Sequence, residues 1–342
     1  MSVKEPTLKE RLDTIRAESG IPALAALVGD SRGVRDSAWV GVRRAGTREN
    51  IQPDDPFHIG SCTKAMTATL AARLVEQGKI RWETTIAEAL PPLKQAIHRD
   101  YHAVTLSQLL YHRAGLAEDR TPDPLLFLRL RSLKGDLPQQ RLEAAKWVLK
   151  KEPAYAPGTQ FAYSNFGYMV AGAMLEQAAQ RSWEQLMREH LFEPLRMRTA
   201  GFGPPKRIAG HSDKPPQPQI DDNPPVLGPA GTVHCSLRDW AAFVRLHLRG
   251  ARGEKTSLLR AESFRTLHAD PYHQGYAMGW AIRQTGTERQ LLHAGSNTLW
   301  FAAVLVATEQ DRFYLCAANW GHSDAAETVL KVVRLLKDEW KL

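Results

Sequence analysis

Apolar residues recur at helical spacing near the start of the chain, with Leu8, Leu12 and Ile15 on one side of a stretch bounded by Thr7 and Gly20. That spacing predicts an amphipathic opening helix ended by glycine. The period then changes: 23–28 and 38–42 read as two short strands around the turn residues Asp30, Ser31, Arg32 and Gly33. From Ser61 to Gly78 the helical period returns, with Met66, Leu70, Leu74 and Val75 on one side and Gly78 as the stop.

Between about 80 and 250 the pattern is mostly helical, with candidate helices at 106–111, 125–133, 142–149, 168–180 and 183–191. One break stands out. Eight of the 21 prolines fall between 204 and 229, where helix is excluded and strand is disfavoured. A loop of that length inside a compact protein is either a functional lid or a disordered segment. The last third reads as strands at 276–283, 290–293, 299–307 and 312–318, with polar turns at 285–288 and 308–311. A closing helix spans about 323–340, with Val329, Val333 and Leu336 on one face.

Strands near both chain ends with helices between them predict an α/β protein of the α+β type. One antiparallel sheet, assembled from both termini and flanked by helices, carries a mostly helical insertion. The expected division is a sheet region of 1–80 and 251–342 and a helical region of 81–250 that includes the Pro-rich loop 204–229.

Composition narrows the class. The 342 residues are 43% hydrophobic and 24% charged, enough for an ordinary core and unlike a disordered chain. The apolar run 301–307 falls far short of the ~18 residues of a membrane span. The N-terminus lacks the apolar core of a secretory signal, so a cytoplasmic location is expected, or a periplasmic or secreted one if a leader has been removed. Cys62, Cys235 and Cys316 are scattered and odd in number, which argues against a disulfide framework or a zinc pair. The net charge of +8 raises the question of nucleic acid. Its densest stretch, 129–151, carries net +5 but no nucleic-acid motif, so a solvated helix face is expected and no nucleic-acid partner.

There is no G-x-S-x-G, P-loop, G-x-G-x-x-G after a strand, or H-E-x-x-H. His98 and His102 could share a helix face but have no third ligand, so no metal is expected. What remains is Ser61-Cys62-Thr63-Lys64 at a helix head. Residues three apart share a helix face, so the Lys64 amine can reach the Ser61 hydroxyl, a poor nucleophile until a base takes its proton. A helix N-terminus also offers free N–H groups where an oxyanion would form. Tyr163-Ser164-Asn165 precedes the apolar helix, and in extended backbone its outer residues point the same way. His293-Ala294-Gly295-Ser296 closes a strand, and its glycine permits close approach.

These three motifs, in this order, resemble those of the serine β-lactamase and penicillin-binding-protein superfamily, in its class C-like subgroup with D,D-peptidases and family VIII carboxylesterases. Connecting segments are similar too: Phe57 to Gly60, Val104 to Leu110 with His112, Gly115 and Leu116, then Leu191 to Leu195 and Pro229 to Gly231. The resemblance covers about residues 8–340. It implies a β-lactamase/D,D-peptidase-like fold with Ser61 as acyl-enzyme nucleophile, Lys64 keeping it activated and Tyr163 as base or proton relay. A tyrosine beside a lysine ammonium is a usable base near neutrality. Asn165 would hydrogen-bond the substrate, and the N–H groups of Ser61 and Ser296 would form the oxyanion hole.

One departure matters. Many β-lactamases carry lysine where this chain has His293, a residue largely neutral at pH 7 unless perturbed. Weaker attraction for a substrate carboxylate points toward neutral carboxylic esters, with β-lactam or D-alanyl-D-alanine amide hydrolysis as the alternative on the same fold. A non-catalytic binding relative is the alternative of another class. Cys62 points about 100° away from Ser61 on a helix and is expected to pack. Among Tyr155, Phe161, Tyr168, Trp300 and Trp320, Trp300 is expected as a pocket wall, and the Pro-rich stretch is expected to shape substrate access. The expected partner is a small ester, amide or β-lactam, and no cofactor is implied.

Overall fold

The computed structural model describes residues 5–119 and 124–340. Thr7 caps the opening helix Leu8–Ser19 in a reciprocal box with Glu10, and left-handed Gly20 ends it. A six-stranded antiparallel sheet then gathers strands from both ends of the chain. Across it run Gly33–Gly41, Ala23–Asp30, Arg312–Ala318, Phe301–Ala307, Glu288–Ser296 and Ala281–Thr285. The two termini thus meet at the centre, where Leu24 lies opposite Ala318.

The central strands are apolar throughout because both faces of the sheet are covered. Ala23, Ala25 and Leu27 join one core, whereas Leu24, Ala26 and Val28 join the other, as a period of two requires. The second core lies under the opening helix and the closing helix Ser323–Glu339. The larger core lies under the helix Leu237–Ala251 and continues into the helices of the chain's middle. Among the described residues no helix is long and apolar enough to cross a membrane.

Several expectations change in detail. The stretch 276–280 is not strand: Gly275 and Gly279 are left-handed, and regular pairing starts at Ala281. The helix 183–191 is regular only over Trp183–Met187 and widens into a looser turn over Arg188–Phe192. The Pro-rich stretch is neither structureless nor without strands. Gly210–Ser212 pairs with Gln217–Gln219, and the helical turns Pro225–Leu227 and Gly228–Gly231 follow. Proline tolerates these positions, since an edge strand and the first turn of a helix need no N–H from it. Just beyond, Val233–Cys235 is the middle strand between Phe57–His58 and Gly201–Phe202. That small sheet ties the Pro-rich stretch to the segment leading into Ser61.

Candidate active site

Ser61 sits in a tight helical turn, Gly60–Cys62, that feeds the helix Thr63–Glu76. Gly60 is left-handed (φ 50°), and a Cβ there would stand 2.7 Å from the carbonyl carbon of Gly295. A Cβ on Gly295 would in turn stand 2.6 Å from the Ser61 amide nitrogen. Two glycines therefore let the end of the strand Glu288–Ser296 lie against the head of this helix. The backbone of the third motif and that of the first are in contact.

Lys64 is fully buried, yet its ammonium has a partner for each of its three N–H bonds. It donates to Ser61 Oγ at 3.0 Å, Asn165 Oδ1 at 2.7 Å and the Ala230 carbonyl at 2.8 Å. One side chain thereby gathers the helix, the Tyr-x-Asn turn and the end of the Pro-rich stretch. Its Nζ also lies 4.8 Å from the centroid of the Tyr163 ring, within cation–π range. Burial of an amine this deep would cost several kcal/mol without such partners.

Ser164 caps the helix Asn165–Ala179 through Gly167 N–H. Asp119 holds the same turn from outside. Its carboxylate accepts from Asn165 N–H at 2.6 Å, Phe166 N–H at 3.0 Å and Ser164 Oγ at 3.0 Å. Burial pushes the Asp119 carboxyl above the usual carboxylate range, and those donors pull it back. His112 Nδ1 accepts from Ser164 N–H at 3.0 Å, and its ring lies 4.3 Å from that of Tyr163. The orientation of Tyr163 is thus set from behind by an imidazole and from below by an ammonium.

His293 lies at the cavity wall. Its Nδ1–H donates to the Ala294 carbonyl at 2.7 Å, and Nε2 pairs with the Tyr276 hydroxyl at 3.3 Å. The neutral ring satisfies both contacts, accepting from the hydroxyl at Nε2. A cavity of about 710 Å³ is lined by Ser61, Tyr163, Asn165, His293, Gly295 and Ser296, and its apolar wall includes Phe127, Phe161, Leu227, Tyr276 and Phe301. Lys64 is not part of the lining; it reaches the cavity through its contact with Ser61 Oγ.

Trp300 is not a wall. It is buried in the core, edge-on to Phe57 with ring centroids 5.8 Å apart. The neighbouring Phe301 lines the cavity instead, because successive residues of an extended chain face opposite sides. Tyr155 is exposed, Tyr168 is buried with its hydroxyl on the Leu110 carbonyl, and Trp320 stacks on His322 away from the cavity. Only Phe161 of that set faces it. Cys62 is buried and its thiol is pushed up by burial, so it is no competing nucleophile. Asp119, Tyr276 and Phe127, which also line the cavity, carry no local sequence signature.

A buried lysine hydrogen-bonded to a cavity-facing serine at a helix head, on this mixed α/β fold, defines a β-lactamase-type serine hydrolase. Residues 8–337 match the sequence model of the Beta-lactamase family, and the chain belongs to that family. It is 32% identical over 290 residues to penicillin-binding protein 4 of Amycolatopsis lactamdurans, covering 81% of this chain and 72% of that protein. Protein flp of Staphylococcus aureus (strain MW2) is 20% identical over 327 residues, covering 91% of this chain and 63% of its own length. This chain therefore spans less than two thirds of that relative. Among solved structures, a D-stereospecific amidohydrolase from Streptomyces sp. superposes with a TM-score of 0.73 at 22% identity, covering 94% of this chain and 96% of its own. The penicillin-binding protein homologue from Pyrococcus abyssi superposes at 0.76 with 20% identity, covering 95% and 75%. At such identities the superpositions speak for the fold.

Proposed function

We propose that this protein is a serine hydrolase working through a covalent acyl-serine intermediate, with carboxylic esters as its preferred substrates. The contact of Lys64 Nζ with Ser61 Oγ carries the reading, because a buried lysine held by three acceptors prepares this hydroxyl and no other. Ser61 Oγ attacks the carbonyl carbon and passes its proton to the Lys64–Tyr163 pair, which returns it to the leaving alcohol. Water then repeats the sequence on the acyl-serine and releases the acid. The N–H groups of Ser61 and Ser296 receive the oxyanion, a placement supported by the contact of Gly295 with the Ser61 amide. Asn165 orients the substrate from the opposite side.

The ester preference is supported by His293, whose hydrogen bonds suit a neutral ring, and by the aromatic wall around the cavity. A fixed cation for a substrate carboxylate is missing at that position. The second reading, an amidohydrolase or β-lactamase, is favoured by the names of the relatives. Rates on p-nitrophenyl butyrate, nitrocefin and a D-Ala-D-Ala peptide rank the two readings. Mass spectrometry after a fluorophosphonate should find one adduct, on Ser61, absent from Ser61→Ala. A folded protein with no adduct and no turnover on any of the three would leave only a binding role.

A further inference from the structure

We propose that Asp222, within the Pro-rich stretch, is a positioning residue that sets the spacing between the two backbone donors, the N–H groups of Ser61 and Ser296. The inference rests on the acyl-serine reading above. One carboxylate bridges the two segments that carry those donors. His58 Nε2–H donates to it at 3.0 Å, and Asn297 Nδ2 donates to it at 2.9 Å. His58 lies two residues before Gly60, and Asn297 directly follows Ser296.

Both arms have a forced polarity. His58 is fully buried, and its Nδ1 accepts the Gly60 N–H at 3.1 Å, so the neutral ring carries its proton on Nε2, toward Asp222. Asn297 Oδ1 accepts from Leu299 N–H at 3.2 Å, which leaves its amide nitrogen for Asp222. Both arms therefore need acceptor oxygens, and the two oxygens of the Asp222 carboxylate supply them. Asp222 is itself fixed: Arg131 donates to its carbonyl and pairs with Asp221 at 2.9 Å, and Asn223 N–H caps the carboxylate at 2.7 Å. Asn223 Nδ2 also donates to the Gly231 carbonyl at 2.9 Å, beside the Ala230 carbonyl that Lys64 uses.

The bracket therefore runs from Gly60 through His58, Asp222 and Asn297 to the residue after Ser296. Asp222 does not line the cavity that holds Ser61, so it acts through the backbone it holds and not on substrate. Oxyanion donors must be held within roughly 0.5 Å of their productive geometry to stabilise the oxyanion fully. The Pro-rich stretch is then a strut for the site, beyond any part it has in access.

Asp222→Asn keeps the volume but turns one accepting oxygen into a donor facing a donor. Turnover of p-nitrophenyl butyrate and inhibition by phenylboronic acid, whose serine adduct is tetrahedral, read the donors directly. In folded D222N, kcat should fall on the order of 10²-fold with KM nearly unchanged, and boronate affinity should fall in parallel. Asn297→Ala removes the other arm, and the double variant should lose less than the product of the single losses. Unchanged kcat and boronate affinity in folded D222N would overturn the proposal. So would losses that track melting temperature alone, with boronate affinity intact. If D222N does not fold, N297A decides by the same two readouts. A wild-type protein that takes up neither boronate nor fluorophosphonate sinks the acyl-serine reading instead, before any variant is made.

Discussion

Gly295 lies directly against the Ser61 amide: a Cβ on it would stand 2.6 Å from that nitrogen and 2.9 Å from the Cys62 nitrogen. The obstacle is backbone, which cannot swing aside as a side chain can. Gly295→Ala should therefore separate the strand end from the head of the helix by a few tenths of an ångström or more. A misplacement approaching 1 Å costs about 10² in rate. The expected outcome is a folded protein whose acylation by a fluorophosphonate slows by about that factor. Acylation at the wild-type rate would show that the contact is tolerant.

Cys62 gives the opposite expectation. Its thiol is buried and burial pushes its pKa up, so almost no thiolate exists at neutral pH. Iodoacetamide should leave both activity and mass unchanged in the folded protein. Cys62→Ala should retain turnover and cost about 1 kcal/mol through a small cavity. Loss of activity on alkylation, with Ser61 still present, would count against the serine as nucleophile.

Asp119 holds two backbone N–H groups and a hydroxyl at the turn that carries Tyr163 and Asn165. Asp119→Ala leaves the Asn165 and Phe166 N–H groups without that acceptor, at about 1–3 kcal/mol each for a buried group. Urea denaturation should show a clear loss of stability. Turnover should fall further than the folded fraction does, because Asn165 also accepts from Lys64. Turnover that merely follows the folded fraction would reduce Asp119 to a structural cap.

The residues of the three motifs are legible in the chain because their chemistry demands partners at short, fixed spacings. Ser61 and Lys64 need one helical turn, and Tyr163 and Asn165 need one extended step. Asp119 is not legible, since it meets Ser164 across 45 positions with no periodicity between them. The choice between Trp300 and Phe301 as wall depends on strand phase, and left-handed Thr298 resets that phase just before the strand begins. Tyr276 was hidden differently: its stretch has strand composition, but two left-handed glycines bend it toward the cavity. The helix Leu237–Ala251 does carry a helical pattern in Leu237, Trp240, Ala241, Val244 and Leu248. The prolines before it draw attention away from that signal. They mark breaks in regular structure, which is a different thing from absence of structure.

Arg141 connects stability to the site. It is fully buried, pairs with Glu176 and with Glu184 at 2.7 Å, and donates to the Val226 carbonyl at 3.0 Å. Burial pushes the Glu176 carboxyl up to about 7, against the pull of the guanidinium. Arg141→Met strands two carboxylates and should cost about 3–5 kcal/mol in a denaturation experiment. Val226 lies in the first of the two turns, Pro225–Leu227 and Gly228–Gly231, the second of which contains Ala230, so kcat should fall as well, even well below the melting temperature. Arg141→Lys should not rescue either property, because an ammonium cannot serve the planar fork of acceptors. Full rescue by lysine would mean that charge alone matters there.

His247 and His268 make stability sensitive to acid. Thr69 Oγ1 donates to the Ala65 carbonyl and so accepts from His247 Nε2–H at 2.9 Å. His247 Nδ1 then accepts from His268 Nε2–H at 2.9 Å, which gives a directed chain of two neutral imidazoles behind the helix Thr63–Glu76 that carries Lys64. Burial holds both rings well below the usual imidazole range, His268 at about 3. In the unfolded chain each takes up a proton near pH 6.5, whereas the folded protein does not. The unfolded state therefore binds more protons below that pH, and stability falls as pH drops from about 6.5 toward 3. Each ring contributes a slope of up to about 1.4 kcal/mol per pH unit in that window. Urea midpoints measured from pH 8 to pH 4 should show the decline, and His268→Gln should be less stable at pH 8 yet lose less on acidification. Parallel profiles for the two proteins would rule the pair out as the source of the acid sensitivity.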